Sequence, residues 1–287
     1  MCDELTDADN ERHASAVSRR EFAAGAAAAG IAMVIPHSAN AMPVKGRDVR
    51  IVTPDGECDA YFAAPESGKH PAVLVWPDIY GMRQSFRDMG DRLAAEGYAV
   101  LTVNAFYRWD RPPYTQGDEK PGDPAIRARA FEYRKQLTPA VVDRDAAAFV
   151  AFLDAQPETD TARGVGTTGY CMGGPLVMRT AALLPGRVHA GASFHGAGLA
   201  SDDADSPHKL VPKMKAQFLV AIAANDDERN PAEKDLVREA FAAAKLPAEI
   251  EVYPAQHGWC PPDSHVYDQV QAERAWARLL HLLKTAL

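Results

Sequence analysis

The sequence predicts an α/β fold, a mostly parallel central sheet with helices on both faces. Strand-like and helix-like segments alternate along most of the chain. Some of the strand-like runs are apolar without a break, as in AVLVW at 72–76, which suits strands covered on both sides. The helix-like runs are amphipathic and stop at signals such as Gly97.

The elements follow in order. VRIVT and CDAYFAAP form an opening strand pair or hairpin. AVLVWPD is a buried strand, RQSFRDMGDRLAAEGY a helix, and AVLTVNAFY the next strand. Residues 108–137 are rich in Pro, Gly and charge, which predicts a long loop with one short helix near 126–136. Such a loop on a rigid sheet either shapes a substrate pocket or is a surface excursion. AVVDRDAAAFVAFLDAQ is an amphipathic helix, GVGTTGY a short strand, and residues 172–184 a helix. VHAGASFHG, QFLVAIAA and EIEVYPA supply three more strands, and helices at 232–245 and 267–285 complete the set. No repeat or linker interrupts residues 42–287, which read as one domain.

The totals restrict the function. The chain has 287 residues, enough to bury a full core, and a formal charge of −8. No basic block is present, which argues against nucleic acid or an anionic membrane as a partner. Residues 1–41 stand apart: SRREF carries paired arginines, AAGAAAAGIAMVI is apolar, and ANA at 39–41 fits a cleavage site. That order predicts a twin-arginine export signal, with the export machinery as a partner and a periplasmic destination. The apolar run is too short for stable membrane insertion. A cytoplasmic protein with an N-terminal helix is the alternative.

Four cysteines, Cys2, Cys58, Cys171 and Cys260, show no C-x-x-C spacing. The three beyond residue 41 do not make a disulfide framework, although a Cys58–Cys260 bridge is open on sequence alone. Cys171 lies in TTGYCMGGPLVM, between a strand and a helix, within G-x-C-x-G-G. This is the setting of a nucleophile elbow, with cysteine where serine is commoner. The turn is tight, so neighbouring residues must be small and the side chain stands out above the sheet. The helix that starts there favours a thiolate, and the Met172 amide points to an oxyanion site.

A nucleophile of this kind needs a base and an orienting acid, in the chain order nucleophile, acid, histidine. NDD after one strand offers Asp226 or Asp227, and QHGWC after the last offers His257. Counting from the strand end favours Asp226, and counting back from Pro231 favours Asp227; we take Asp226 first. His195 also ends a strand, but it precedes the acids, so it reads as a pocket residue rather than the base. His189, His208, His265 and His281 read as surface residues. No metal-ligand spacing and no phosphate-binding glycine loop appears, so neither a metal nor a cofactor is expected.

Through GYCMGG, WPDIYGMR, NDD and QHGWC, residues 49–287 resemble the dienelactone hydrolase family. The resemblance implies an α/β-hydrolase fold and a Cys171–His257–Asp226 triad. It also implies an oxyanion hole from the amides of Met172 and Ile79. In place of the family's glutamate near the resting cysteine stands Asp78, one methylene shorter. Arg108 is near the position of one carboxylate-binding arginine, but HGWCPPD contains no second. Tyr107 and Trp259 are expected as apolar walls. The expected activity is hydrolysis of a small carboxylic ester or lactone through a thioester. Alternatives are a broad-specificity exported carboxylesterase and a non-catalytic binding or redox-sensing protein on the same scaffold.

Overall fold

The computed structural model describes residues 6, 9–13, 41–111 and 123–287. The chain opens with a hairpin, β1 (Val44–Thr53) and β2 (Gly56–Pro65). A two-residue loop joins them, and Gly56 leaves it at φ 133°, a conformation that favours glycine. The hairpin lies antiparallel against β4 (Ala99–Val103). From there β3 (Ala72–Trp76), β5 (Val165–Tyr170), β6 (Val188–Phe194), β7 (Gln217–Ala223) and β8 (Ala248–Tyr253) run parallel. The order across this eight-stranded sheet is β1-β2-β4-β3-β5-β6-β7-β8.

The pleat explains the uninterrupted apolar runs. Along β3, Ala72, Leu74 and Trp76 enter one core, while Val73 and Val75 enter the other. The first core lies under α3 (Pro139–Asp154), α4 (Gly173–Leu183) and α6 (Glu233–Ala244), with Phe149, Val177 and Phe241 buried in it. The second lies under α1 (Gln84–Ala95) and α7 (Gln269–Ala286), which contribute Phe86, Leu93, Leu279 and Leu283. With both faces covered, the side chains of these central strands are buried on either side.

One element departs from the sequence reading. NDD does not simply end β7; it forms a short helix, α5 (Ala224–Arg229), with Asp226 and Asp227 in its first turn. The helix after residue 108 is α2 (Pro124–Gln136), opened by a proline at its first position. Residues 112–122 of that long connection lie outside the described residues, as do the paired arginines and most of the apolar run and cleavage signature at 18–41. Among the described residues, no helix is long and apolar enough to cross a membrane.

The tightest packing is at the end of β5. A Cβ added to Gly169 would lie 2.3 Å from the carbonyl oxygen of Gly173, and one added to Gly173 would lie 2.4 Å from that of Trp76. Backbone cannot retreat as a flexible side chain can, so Gly169→Ala should cost roughly 2 kcal/mol or more. The check is the urea midpoint of the variant beside the parent; an unchanged midpoint would contradict this account of the turn.

Candidate active site

Strand β5 ends and α4 begins around Cys171, which has φ 53°. A non-glycine residue in the left-handed region carries a cost of roughly 1–3 kcal/mol. The turn is held from several sides. The Cys171 amide donates to the Phe194 carbonyl at 3.0 Å, and also to His195 Nδ1 at 3.1 Å. Gly174 N–H donates back to the Cys171 carbonyl at 3.0 Å. A Cβ on Gly174 would lie 2.4 Å from Ser193 Oγ, so the second glycine of the pair is also required by close approach. The thiol therefore stands at the carboxyl end of the sheet, where ligands of open α/β sheets bind.

His257 follows β8 and meets Asp226 there. Its Nδ1 lies 2.6 Å from Asp226 Oδ2, with both side chains buried. Asn225 Oδ1 accepts from the His257 amide at 2.8 Å, fixing the loop from below. Asp227, one residue on, turns away and pairs with Lys234 at 2.6 Å. Helix α5 accounts for the division: successive residues on a helix point in different directions.

Cys171 and His257 line one cleft of about 740 Å³, open to solvent. Asp78, Ile79 and His195 line it too. His195 is fully buried and accepts the Cys171 amide on Nδ1, which puts its proton on Nε2. Burial first, and then the neighbouring His257, hold its pKa well below the ordinary histidine value. It sits 5.1 Å, ring centre to ring centre, from both His257 and Trp259.

Three of the expected pocket residues lie elsewhere. Trp259 is fully buried and stacked on Tyr253, so it is core beneath His195 rather than a wall of the cleft. Tyr107 is buried, its hydroxyl sharing a hydrogen bond with Thr53 at 2.6 Å and donating to Asp145 at 2.8 Å. Arg108 lies over the Tyr107 ring and is engaged by Asp145 and Asp55, at 2.7 and 2.6 Å. These carboxylates tie it to α3 and the β1–β2 turn, away from the cleft. Met172 caps α4 beside the cysteine and is buried.

The cleft also gathers residues that sequence reasoning missed. Phe131 comes from α2, so the long connection after β4 does shape the pocket. His265, read as a surface residue, is exposed and lines the mouth. Asn10 reaches the rim, donating to the His257 carbonyl at 2.7 Å and accepting from Asn225 Nδ2 at 3.3 Å. Arg229 anchors the same segment through Thr6 and Asp9. Arg83 and Asp263 complete the polar side, and only Arg83 had a signal, its place in WPDIYGMR.

The cysteines divide by environment. Cys58 and Cys260 are buried and free, so no bridge joins them, and burial pushes both thiols up in pKa. Cys171 is disulfide-bonded. Among the described residues, no cluster of side chains could hold a metal ion.

A parallel sheet with a strained strand–helix elbow, and an Asp–His pair delivered by later strand ends, defines an α/β-hydrolase. Within that class the chain belongs to the dienelactone hydrolase family, whose model matches residues 58–287, and it is a hydrolase. A carboxymethylenebutenolidase of Pseudomonas sp. (strain P51) is 27% identical over 80% of this chain and 90% of its own. A Methylorubrum extorquens protein, provisionally named carboxymethylenebutenolidase, is 30% identical over 92% of this chain and 91% of its own. Among solved structures, a dienelactone hydrolase-like promiscuous phosphotriesterase from metagenomic libraries is 25% identical. It superposes with a TM-score of 0.69 over 85% of this chain and 98% of its own.

The neutral, buried His195 has a consequence for stability. Its folded pKa is depressed, so the unfolded chain binds the extra proton first as pH falls. Its contribution is complete above the unfolded value, near 6.5, and is lost as pH drops below it. Urea unfolding at pH 7.5 and pH 5 should therefore show a smaller acid loss in His195→Gln than in the parent. Equal losses would mean that the ring is protonated in the folded protein.

Proposed function

We propose that the protein cleaves carboxylic esters or lactones through a thioester on Cys171, with His257 as acid–base and Asp226 as its orienting carboxylate. The 2.6 Å contact between His257 Nδ1 and Asp226, with His257 lining the same cleft as Cys171, carries this reading. Asp226 holds Nδ1–H, so Nε2 is the nitrogen that exchanges protons.

Thiolate Sγ adds to the acyl carbon, and the carbonyl oxygen becomes an oxyanion facing the amides of Met172 and Ile79. As the intermediate collapses, the C–O bond breaks and the imidazolium of His257 gives its proton to the leaving alkoxide. Water then adds to the thioester carbon while His257 takes its proton. The C–S bond breaks, releasing the carboxylic acid and returning the thiolate–imidazolium pair. Thioester formation favours substrates with good leaving groups, activated esters and enol lactones above amides.

The disulfide on Cys171 supports a second, compatible reading, redox control of the same nucleophile. The sulfur must be reduced before it can attack, so reductant should raise the initial rate on 4-nitrophenyl acetate. Export through the twin-arginine route remains our reading of residues 1–41, tested by locating the chain after Arg19→Lys with Arg20→Lys.

Three variants test the triad on reduced, folded protein. Cys171→Ala should lower kcat on 4-nitrophenyl acetate by roughly 10³-fold or more, and equal rates would remove Cys171 as nucleophile. Asp226→Asn should cost roughly 10³-fold to 10⁴-fold, by analogy with other triads. Asp227→Asn should stay within about threefold, because its carboxylate serves a half-buried ion pair with Lys234 rather than His257. The reverse order would reassign the acid.

A further inference from the structure

The one guanidinium among the described residues of the cleft has no donor left for a ligand. Arg83 gives Nη1–H to Asp78 Oδ1 at 2.7 Å and to the Gly81 carbonyl at 3.2 Å. Its Nη2–H groups go to Asp78 Oδ2 and to Asp263 Oδ1, each at 3.0 Å. Its Nε–H goes to Asp263 Oδ2 at 2.6 Å. An arginine has five N–H donors, and all five are committed. The side chain is only 12% exposed and lies over the Phe86 ring at 4.9 Å. Desolvation opposes its charge, but the two carboxylates outweigh that and hold its pKa above the ordinary arginine value.

Asp78 is held as firmly. Both of its oxygens serve Arg83, and Oδ1 also accepts from the Tyr80 amide at 2.9 Å. Asp263 lies in the loop after His257 and closes the bridge from the other side. Two carboxylates thus face one guanidinium in the wall of the cleft. The rest of that wall includes Ile79, Tyr80 and Phe131, which are apolar or aromatic. Arg108, the other candidate cation, is engaged by Asp55 and Asp145 outside the cleft.

We infer that the Asp78–Arg83–Asp263 bridge sets charge selectivity, so that the cleft accepts neutral acyl groups and turns away substrates that carry a carboxylate. The inference rests on the hydrolase reading above. An anionic acyl group would meet excess negative charge in a partly desolvated cleft and find no vacant donor to compensate it. Asp263 is the specificity-determining member that can be altered most safely, because its side chain is 36% exposed and lies in a loop.

The test uses the full chain under reductant, with 4-nitrophenyl butyrate as the neutral ester and mono-4-nitrophenyl succinate as the anionic one. The parent should show kcat/KM for the neutral ester at least roughly tenfold above that for the anionic ester. Asp263→Asn keeps the shape and removes the excess negative charge, so the bridge becomes neutral and the anionic-to-neutral ratio should rise by roughly tenfold, chiefly through KM. Asp263→Glu should return the ratio toward the parent. A loosened loop would slow both esters together and leave the ratio alone, so a merely structural role is distinguishable. A parent that takes both esters equally, or a ratio unmoved by Asp263→Asn, overturns the inference. If the reduced parent cleaves neither ester, or if Cys171→Ala cleaves the neutral one as well as the parent, the hydrolase reading has failed and the selectivity falls with it.

Discussion

The steric closeness of three glycines at the end of β5 is the constraint on which the rest of this molecule depends. Gly169, Gly173 and Gly174 let backbone approach backbone, or the Ser193 hydroxyl, where any Cβ would intrude. Only then can the chain reverse from strand to helix within the span of Cys171 and leave that residue at φ 53°. A conformation of this kind does not persist by itself; it persists because its surroundings over-determine it. The Phe194 carbonyl, the His195 ring and the Gly174 amide provide that surrounding. One consequence is that β6, which ends at Phe194 just before His195, is part of the support of Cys171 as well as part of the sheet.

The same logic extends outward. Strand β7 and helix α5 deliver Asp226, and β8 delivers His257, so this buried pair comes from neighbouring parallel strands at the same end of the sheet. Burial of the pair removes competing water from their 2.6 Å contact. His195 fills the space between them and Trp259 as a neutral ring, and burial is the reason it stays neutral. A charged residue in that place would disturb both the cysteine and His257.

Polar side chains around the cleft are arranged as closed sets rather than open hands. Arg83 is consumed by Asp78, Asp263 and a carbonyl, and Arg108 by Asp55 and Asp145. The Asp78–Arg83–Asp263 set also joins the loop that carries Ile79 to the loop that follows His257. Two segments 180 residues apart in sequence are thereby fixed against each other at the mouth. Such a bridge gives the cleft a defined shape and charge without offering a vacant cation.

By itself, the sequence determined the class of fold, the elbow and the family. Apolar runs of strand length, helical spacing between them and G-x-C-x-G-G are local patterns, and local patterns survive in a linear string. It narrowed the carboxylate expected beside His257 to two neighbours, Asp226 and Asp227, with Asp226 taken first. Their difference is one of direction on a short helix packed against β7 and β8, where Asp226 meets His257 and Asp227 meets Lys234. Tertiary structure alone decided that Trp259 belongs to the core, that Arg108 is tied down on α3, and that Phe131, Asn10 and Asp263 reach the cleft. The reason is physical: an aromatic or charged residue has the same identity whether it lines a pocket, packs in a core or closes an ion pair. Its role is set by partners that lie far away along the chain, and only folding brings those partners to it.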